Sequence, residues 1–296
     1  MCTLPNFFLA GAPKAGTTSL YHDLRRHPNV CMSDPKETWY FFDYRKYNER
    51  DLDWYESEFF EQCDEQSLVG EATPGYMSHP DSPFRIAERL EAHPQFIFLL
   101  RDPVERAFSS YHYDIQRGSR DPARSFSEVI RDPYEQKADP SQNHVGLLEA
   151  GRYICHLKRY EQCFGCERLH TVLFSEFINS RRETLHRIFQ ALGLSPIPIP
   201  DSERHNATQY PLSTSLFIAL RRAWKVTEQA LGPPVAKYFK PLRDTVRQNL
   251  LSSGREPPSM TASDREYLHD FYADANASLA EYLDLSLSHW TWNSSG

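Results

Sequence analysis

No apolar run in this 296-residue chain approaches the roughly 18 residues that a helix needs to cross a bilayer, so a helical membrane span is not expected. The segment Phe7–Ala12 is too short for a signal peptide and has no basic region before it, which makes the cytoplasm the expected compartment. Basic excess is missing too. Against 40 Asp and Glu stand 33 Lys and Arg, a formal net charge of −7, which argues against a protein that coats nucleic acid through a general positive field. The same balance weighs against a highly sulfated polyanion as the main substrate. Cysteine is scarce: Cys2, Cys31, Cys63, Cys155, Cys163 and Cys166 are too few for a disulfide scaffold. The pair Cys163 and Cys166 has metal or redox spacing, but no second such pair accompanies it and it does not open a helix after a strand, so two ordinary thiols are expected. Internal repeats and low-complexity stretches are absent. The Asn-x-Ser/Thr triplets at Asn206, Asn276 and Asn293 are patterns short enough to arise by chance.

What is present is a globular composition, with 40% hydrophobic, 13% aromatic and 25% charged residues in a length suited to one large α/β domain or two small ones. The N-terminal stretch Phe7–Leu20 reads as a buried strand, a glycine-containing loop and a helix start in immediate succession. Backbone N–H groups in such a loop, and at the open end of the helix after it, have no internal partners and can converge on a phosphate or sulfate with the helix dipole behind them. Lys14 adds a mobile positive charge. Gly11 and Gly16 have the spacing of a Walker A loop, yet Thr17 follows Gly16 where that motif has lysine, and the lysine has moved to mid-loop. This arrangement suits a phosphosulfate better than a metal–nucleotide triphosphate, and no metal is required.

Further along, Thr17–His27 reads as a helix. The stretch Asp34–Asp43 then sets Lys36 and Glu37 before Thr38 and a run of four aromatics, Trp39 to Phe42. A carboxylate beside apolar surface is a candidate general base, because desolvation disfavours its ionised form; pairing with Lys36 on the surface is the plainer alternative. Helices are expected at Leu52–Cys63 and from Ser82 to Ala92, with a short strand and turn over Ser67–Thr73 between them. Gln95–Leu100 is a continuous apolar run suited to a central parallel strand. At its carboxyl end come Arg101 and Asp102, then a helix capped by Asp102 with Pro103 in its first turn. Ligands of open α/β sheets lie beyond the carboxyl ends of strands, which places Arg101 where an anion belongs, with Ser109 two turns on along the helix.

Residues 118–145 form a polar excursion with one short helix, expected to face the substrate. A helix over Leu147–Cys163, a strand over His170–Phe174 and a helix from Arg181 to Leu192 follow. The irregular His205–Pro211 segment is expected to line the site, ahead of a helix over Leu212–Leu231 with Arg221, Arg222 and Lys225. A final helix is expected to open at a Ser263–Glu266 capping box. The alternation of strands and helices predicts an α/β chain, a single domain over residues 1–296 with a central mostly parallel sheet flanked by helices, and segments 118–145 and 195–258 as excursions around the substrate.

Two anion-binding segments at strand–helix junctions, with a Lys-Glu-aromatic stretch between them, resemble the PAPS-dependent sulfotransferases, especially carbohydrate sulfotransferases of the heparan sulfate type and their bacterial relatives. The resemblance implies a P-loop-like nucleotide-binding topology. It implies that Lys14, Ala15, Gly16, Thr17, Thr18 and Ser19 hold the 5′-phosphosulfate and that Arg101 and Ser109 hold the 3′-phosphate. It implies Glu37 as the base, although Thr38 and Trp39 stand where the family has other residues. Lys14 then stabilises the leaving bisphosphate, adenosine 3′,5′-bisphosphate. Lys36, Trp39, Tyr40 and Tyr76 are expected to touch the acceptor, a hydroxyl or less often an amine on a saccharide or small natural product. Two alternatives stand beside it: a non-catalytic nucleotide-binding member of the same family, and a P-loop kinase for small molecules. The sequence leaves oligomeric state and acceptor identity open.

Overall fold

The computed structural model describes residues 4–64, 68–91, 94–117, 119–121, 123–139, 144–199, 219 and 259–290. The expected His205–Pro211 segment and, Ala219 apart, the expected Leu212–Leu231 helix lie outside these residues. A parallel five-stranded sheet organises the rest, in the order β2-β3-β1-β4-β7, with β1 at Phe7–Gly11, β2 at Val30–Met32, β3 at Leu68–Glu71, β4 at Gln95–Leu100 and β7 at Leu169–Leu173. Its register pairs Phe7 with Gly70 on one side and with Gln95 on the other. The two central strands are apolar because both faces are covered: Phe7, Phe8 and Leu9 of β1, and Phe96 to Leu100 of β4, are fully buried. Stacked rings of Phe8 and Phe96, 5.5 Å apart, carry the core across the two strands.

The onward connections of β1 and β4 diverge. From β1 the chain passes through α1 (Thr17–Leu24) to β2 on one side, and from β4 it passes through α5 (Pro103–Arg117) and α7 (Tyr153–Phe164) to β7 on the other. The crevice beyond these neighbouring strand ends is the switch point where α/β sheets bind ligands. Asp102 opens α5 as expected, its Oδ1 accepting the Val104 N–H at 2.8 Å.

Several elements depart from expectation. The edge strand β2 and the short helix α2 (Tyr44–Glu49) were not predicted, and α3 (Leu52–Phe59) and α4 (Ser82–Arg89) both stop short of their expected ends. The helix expected from Leu147 begins only at Tyr153, after a 3₁₀ turn over Glu149–Gly151, as a mid-helix glycine would favour. The excursion holds α6 (Phe126–Ile130) and a two-stranded hairpin, β5 (Ala138–Asp139) with β6 (His144–Val145). After α8 (Phe174–Asn179) and α9 (Arg181–Ala191), the closing helix α10 (Ala262–Leu283) is capped by Thr261 through the Asp264 N–H, two residues before the expected cap at Ser263. Cys31 of β2 and Cys63 beyond α3 form a disulfide, while Cys155, Cys163 and Cys166 are free thiols.

Candidate active site

The loop between β1 and α1 is shaped by backbone that few residues adopt. Gly16 has φ +89°, and a Cβ there would stand 2.9 Å from the Phe174 ring, so glycine answers both a conformational and a spatial demand. Lys14 takes φ +68°, a strained value for a residue with a side chain. Gly16 stands at the cap position of α1, where no side chain among the described residues accepts from the first-turn N–H groups, and the helix opens just beyond the carboxyl end of β1.

The second anion segment meets the first. Arg101, at the end of β4, donates from Nη1 to the Lys14 carbonyl at 3.2 Å, lies 5.2 Å over the Phe174 ring and is 3.9 Å from the Glu105 carboxylate. Its own carbonyl accepts from the Tyr153 hydroxyl at 2.8 Å, tying the strand end to α7. Ser109 is half-buried on α5. The Lys14 ammonium sits 3.8 Å over the ring of Tyr113 on the same helix, and Arg117 approaches that ring at 5.5 Å. Burial pushes Lys14 down to about 8, Arg101 adds to the drop, and Asp114 and Glu37 partly oppose it. This concentration of positive charge in a desolvated crevice is suited to a polyanionic ligand.

Beside the crevice, residues 33–43 are held by their backbone. Ser33 Oγ donates to the Lys36 carbonyl at 3.0 Å, Lys46 Nζ donates to the Thr38 carbonyl at 2.7 Å, and Asp43 N–H donates to the Trp39 carbonyl at 2.9 Å. Lys36 and Glu37 pair at 3.1 Å, with 15% and 34% of their side chains exposed, so the plainer reading of Glu37 and its place near Lys14 coexist. Burial lowers the Lys36 ammonium, and Glu37 opposes that. Trp39 has φ +58° and packs its ring on Gly75, where a Cβ would stand 2.8 Å away.

Tyr40 and Tyr76, expected against the acceptor, are fully buried instead. The Tyr40 ring stacks on Tyr55 at 4.4 Å and its hydroxyl donates to the Arg50 carbonyl, while the Tyr76 hydroxyl lies within the core near Thr38 and accepts from the Phe41 N–H. Both belong to the packing beneath the site. Sequence reasoning passed over Tyr113 and Arg117, which face the loop from α5 at one-turn spacing, and Glu71, which occupies the end of β3 as Arg101 occupies the end of β4.

Known proteins resemble this chain along most of its length. The family model for the sulfotransferase domain matches residues 4–209. Human bifunctional heparan sulfate N-deacetylase/N-sulfotransferase 3 is 28% identical over 295 residues, covering 95% of this chain and 30% of that protein. The membrane-associated sulfotransferase kil1 of Dictyostelium discoideum is 41% identical over 115 residues, 38% of this chain and 24% of its own length. This chain therefore spans between about a quarter and a third of those two relatives. The crystal structure of a sulfotransferase from Alicyclobacillus acidocaldarius is 25% identical, with a TM-score of 0.66 over 97% of this chain and 98% of that one.

Proposed function

Because the chain belongs to the sulfotransferase family, we propose that it moves a sulfuryl group from PAPS to a hydroxyl or amine of a saccharide or small natural product, by in-line displacement. The observation that carries this reading is the junction of the Lys14 loop with Arg101 beyond the ends of β1 and β4. Two anion sites in contact across a switch point fit a ligand with phosphate groups on the 3′ and 5′ oxygens of one ribose. A relative that matches nearly the whole chain is named as a heparan sulfate enzyme, which supports a saccharide acceptor and puts an amine beside the expected hydroxyl.

In this reading the loop N–H groups and Lys14 hold the 5′-phosphosulfate, and Arg101 with Ser109 holds the 3′-phosphate. Glu37 takes the acceptor proton as the new bond to sulfur forms. The bond from sulfur to the bridging oxygen breaks, and its electron pair leaves with adenosine 3′,5′-bisphosphate. Lys14 then meets the charge growing on that bisphosphate; one well-aimed donor in a comparable oxyanion site is worth about 3–4 kcal/mol. In the same reading Trp39 and Lys36, at one turn, contact the acceptor. No helix among the described residues is long and apolar enough to cross a membrane. The Cys31–Cys63 bond favours an oxidising compartment over the cytoplasm expected from the sequence.

The test is a mass-spectrometric search for sulfate gain, with PAPS as donor and N-desulfated heparan sulfate, simple saccharides and an extract of the source cell as acceptors. Lys14→Ala is expected to abolish transfer in a folded protein, and Glu37→Gln to lose turnover while keeping nucleotide affinity. Wild-type turnover in Glu37→Gln would remove it as the base. Bisphosphate binding with no transfer to any acceptor would favour the non-catalytic alternative, and Mg-ATP binding would favour the kinase.

A further inference from the structure

Glu71 is a fully buried carboxylate at the carboxyl end of β3, with no cation within ion-pair distance among the described residues, and its surroundings are hydroxyl groups. Thr73 Oγ1 donates to its Oε1 at 2.5 Å and Thr38 Oγ1 donates to the same oxygen at 2.9 Å, while the Tyr55 hydroxyl donates to Oε2. Each donor is committed. Thr38 Oγ1 accepts from the Tyr40 N–H at 3.2 Å and faces the Tyr76 hydroxyl at 3.0 Å, and that tyrosine oxygen in turn accepts from the Phe41 N–H. Thr73 Oγ1 accepts from the N–H of Thr38 at 3.1 Å and of Trp39 at 3.4 Å. All three hydroxyls donate to Glu71, and these hydrogen bonds favour its carboxylate form against the burial that raises it above the usual carboxylate range.

The network reaches the candidate base through one peptide. Thr38 follows Glu37 directly, and the two N–H groups that Thr73 holds flank Thr38, while the Tyr40 N–H that Thr38 Oγ1 holds lies beyond Trp39, whose φ of +58° requires surrounding structure to maintain it. A buried charge that serves only stability is poorly chosen, because an apolar cluster of the same volume would do as well or better. Here the hydroxyl partners of Glu71 also hold the N–H groups of the turn that contains the positive φ of Trp39.

We propose that Glu71 is a positioning residue, acting through Thr38 and Thr73 to fix the Thr38–Trp39 turn and so the direction in which Glu37 enters the crevice. The inference rests on Glu37 being the base. Glu71 itself does not touch the reacting atoms. It also favours the charged form of Lys36, so loss of its charge acts on both members of the Lys36–Glu37 pair.

The experiment compares Thr38→Val, Thr38→Ser, Glu71→Gln and Glu37→Gln. Turnover is read as release of adenosine 3′,5′-bisphosphate from PAPS with water as acceptor. Bisphosphate affinity is read by calorimetry and folding by the thermal midpoint. Thr38→Val keeps the shape and removes the link. It is expected to lower kcat by about ten- to a hundredfold, as a misplaced catalytic group does, with bisphosphate affinity within twofold of wild type. Thr38→Ser, which restores the hydroxyl, is expected to recover most of that loss, a rescue that a purely packing role would not give. Glu71→Gln is expected to follow Thr38→Val where it folds.

Wild-type kcat in Thr38→Val overturns the proposal whatever Glu71→Gln does, and so does equal loss of kcat and bisphosphate affinity in every variant. Glu37→Gln reports on the base alone. If it is inactive while Thr38→Val is normal, the base stands and the positioning falls. If it is fully active, the base falls first and the proposal with it.

Discussion

The Lys14 ammonium, pushed down to about 8, changes charge within the range in which the protein can be assayed. A bisphosphate beside it favours the protonated form, so binding above pH 8 takes up a proton and weakens as pH rises. With a value near 8, Lys14 is about 90% protonated at pH 7 and about 10% at pH 9. If the neutral amine contributes little, the dissociation constant of adenosine 3′,5′-bisphosphate rises about tenfold between those values, equivalent to about 1.4 kcal/mol. The phosphates add little of their own, since their last ionisation, near 6, is largely complete by pH 7. Calorimetric titrations at pH 7, 8 and 9, in buffers of unlike ionisation enthalpy, read both the affinity and the proton uptake. Lys14→Arg keeps its charge throughout and is expected to be flat. A flat wild type would refute the reasoning, and so would the same slope in Lys14→Arg, which would move the titrating group elsewhere, with Lys36 the next to examine.

Gly16→Ala is expected to cost about 1–2 kcal/mol in chemical denaturation, from its positive φ and the approach to Phe174, and to weaken bisphosphate binding; unchanged stability and binding would show that the loop tolerates a side chain. Arg101→Lys keeps the charge but loses the planar fork that reaches the Lys14 carbonyl, so bisphosphate affinity should fall about tenfold with little change in the thermal midpoint; equal affinity would leave Arg101 a mere point charge. Alkylation without reductant should label two fewer cysteines than alkylation after reduction. Cys31→Ser should then cost about 3–4 kcal/mol in urea unfolding under oxidising conditions, the figure for closing a loop of this length, and nothing when both proteins are reduced.

What was legible in the sequence is what local chemistry decides. The bounds of β4 followed from an apolar run with Pro94 before it, and the opening of α5 followed from Asp102 and Pro103. Both loops could be assigned to strand ends because strand–helix junctions carry their own punctuation, and the structure sets Lys14 and Arg101 side by side. The three residues Val30–Met32 make a strand only because β3 pairs with them, and three residues show no period. The cap of α10 was expected at Ser263 with Glu266 three on, but Thr261 takes that role, its side chain accepting the Asp264 N–H. Tyr40 and Tyr76 misled for a related reason: an aromatic beside a candidate base reads alike as pocket wall or core, and burial alone separates the two. Glu71 could have been found, since its place at the end of a buried strand is the one that drew notice to Arg101.

The central position of β1 has a consequence for how the protein comes into being. The first strand of the chain pairs with residues near positions 70 and 95, so the innermost element of the sheet waits for partners made much later. Such non-local pairing slows folding, because loop closure is entropically costly before any contact repays it. On a ribosome, a nascent chain that ends before Leu100 lacks β4, and with it the neighbour that turns the Lys14 loop into half of a crevice. The meeting of the Lys14 loop with Arg101 therefore becomes possible once β4 is made, ahead of β7, the strand that completes the sheet.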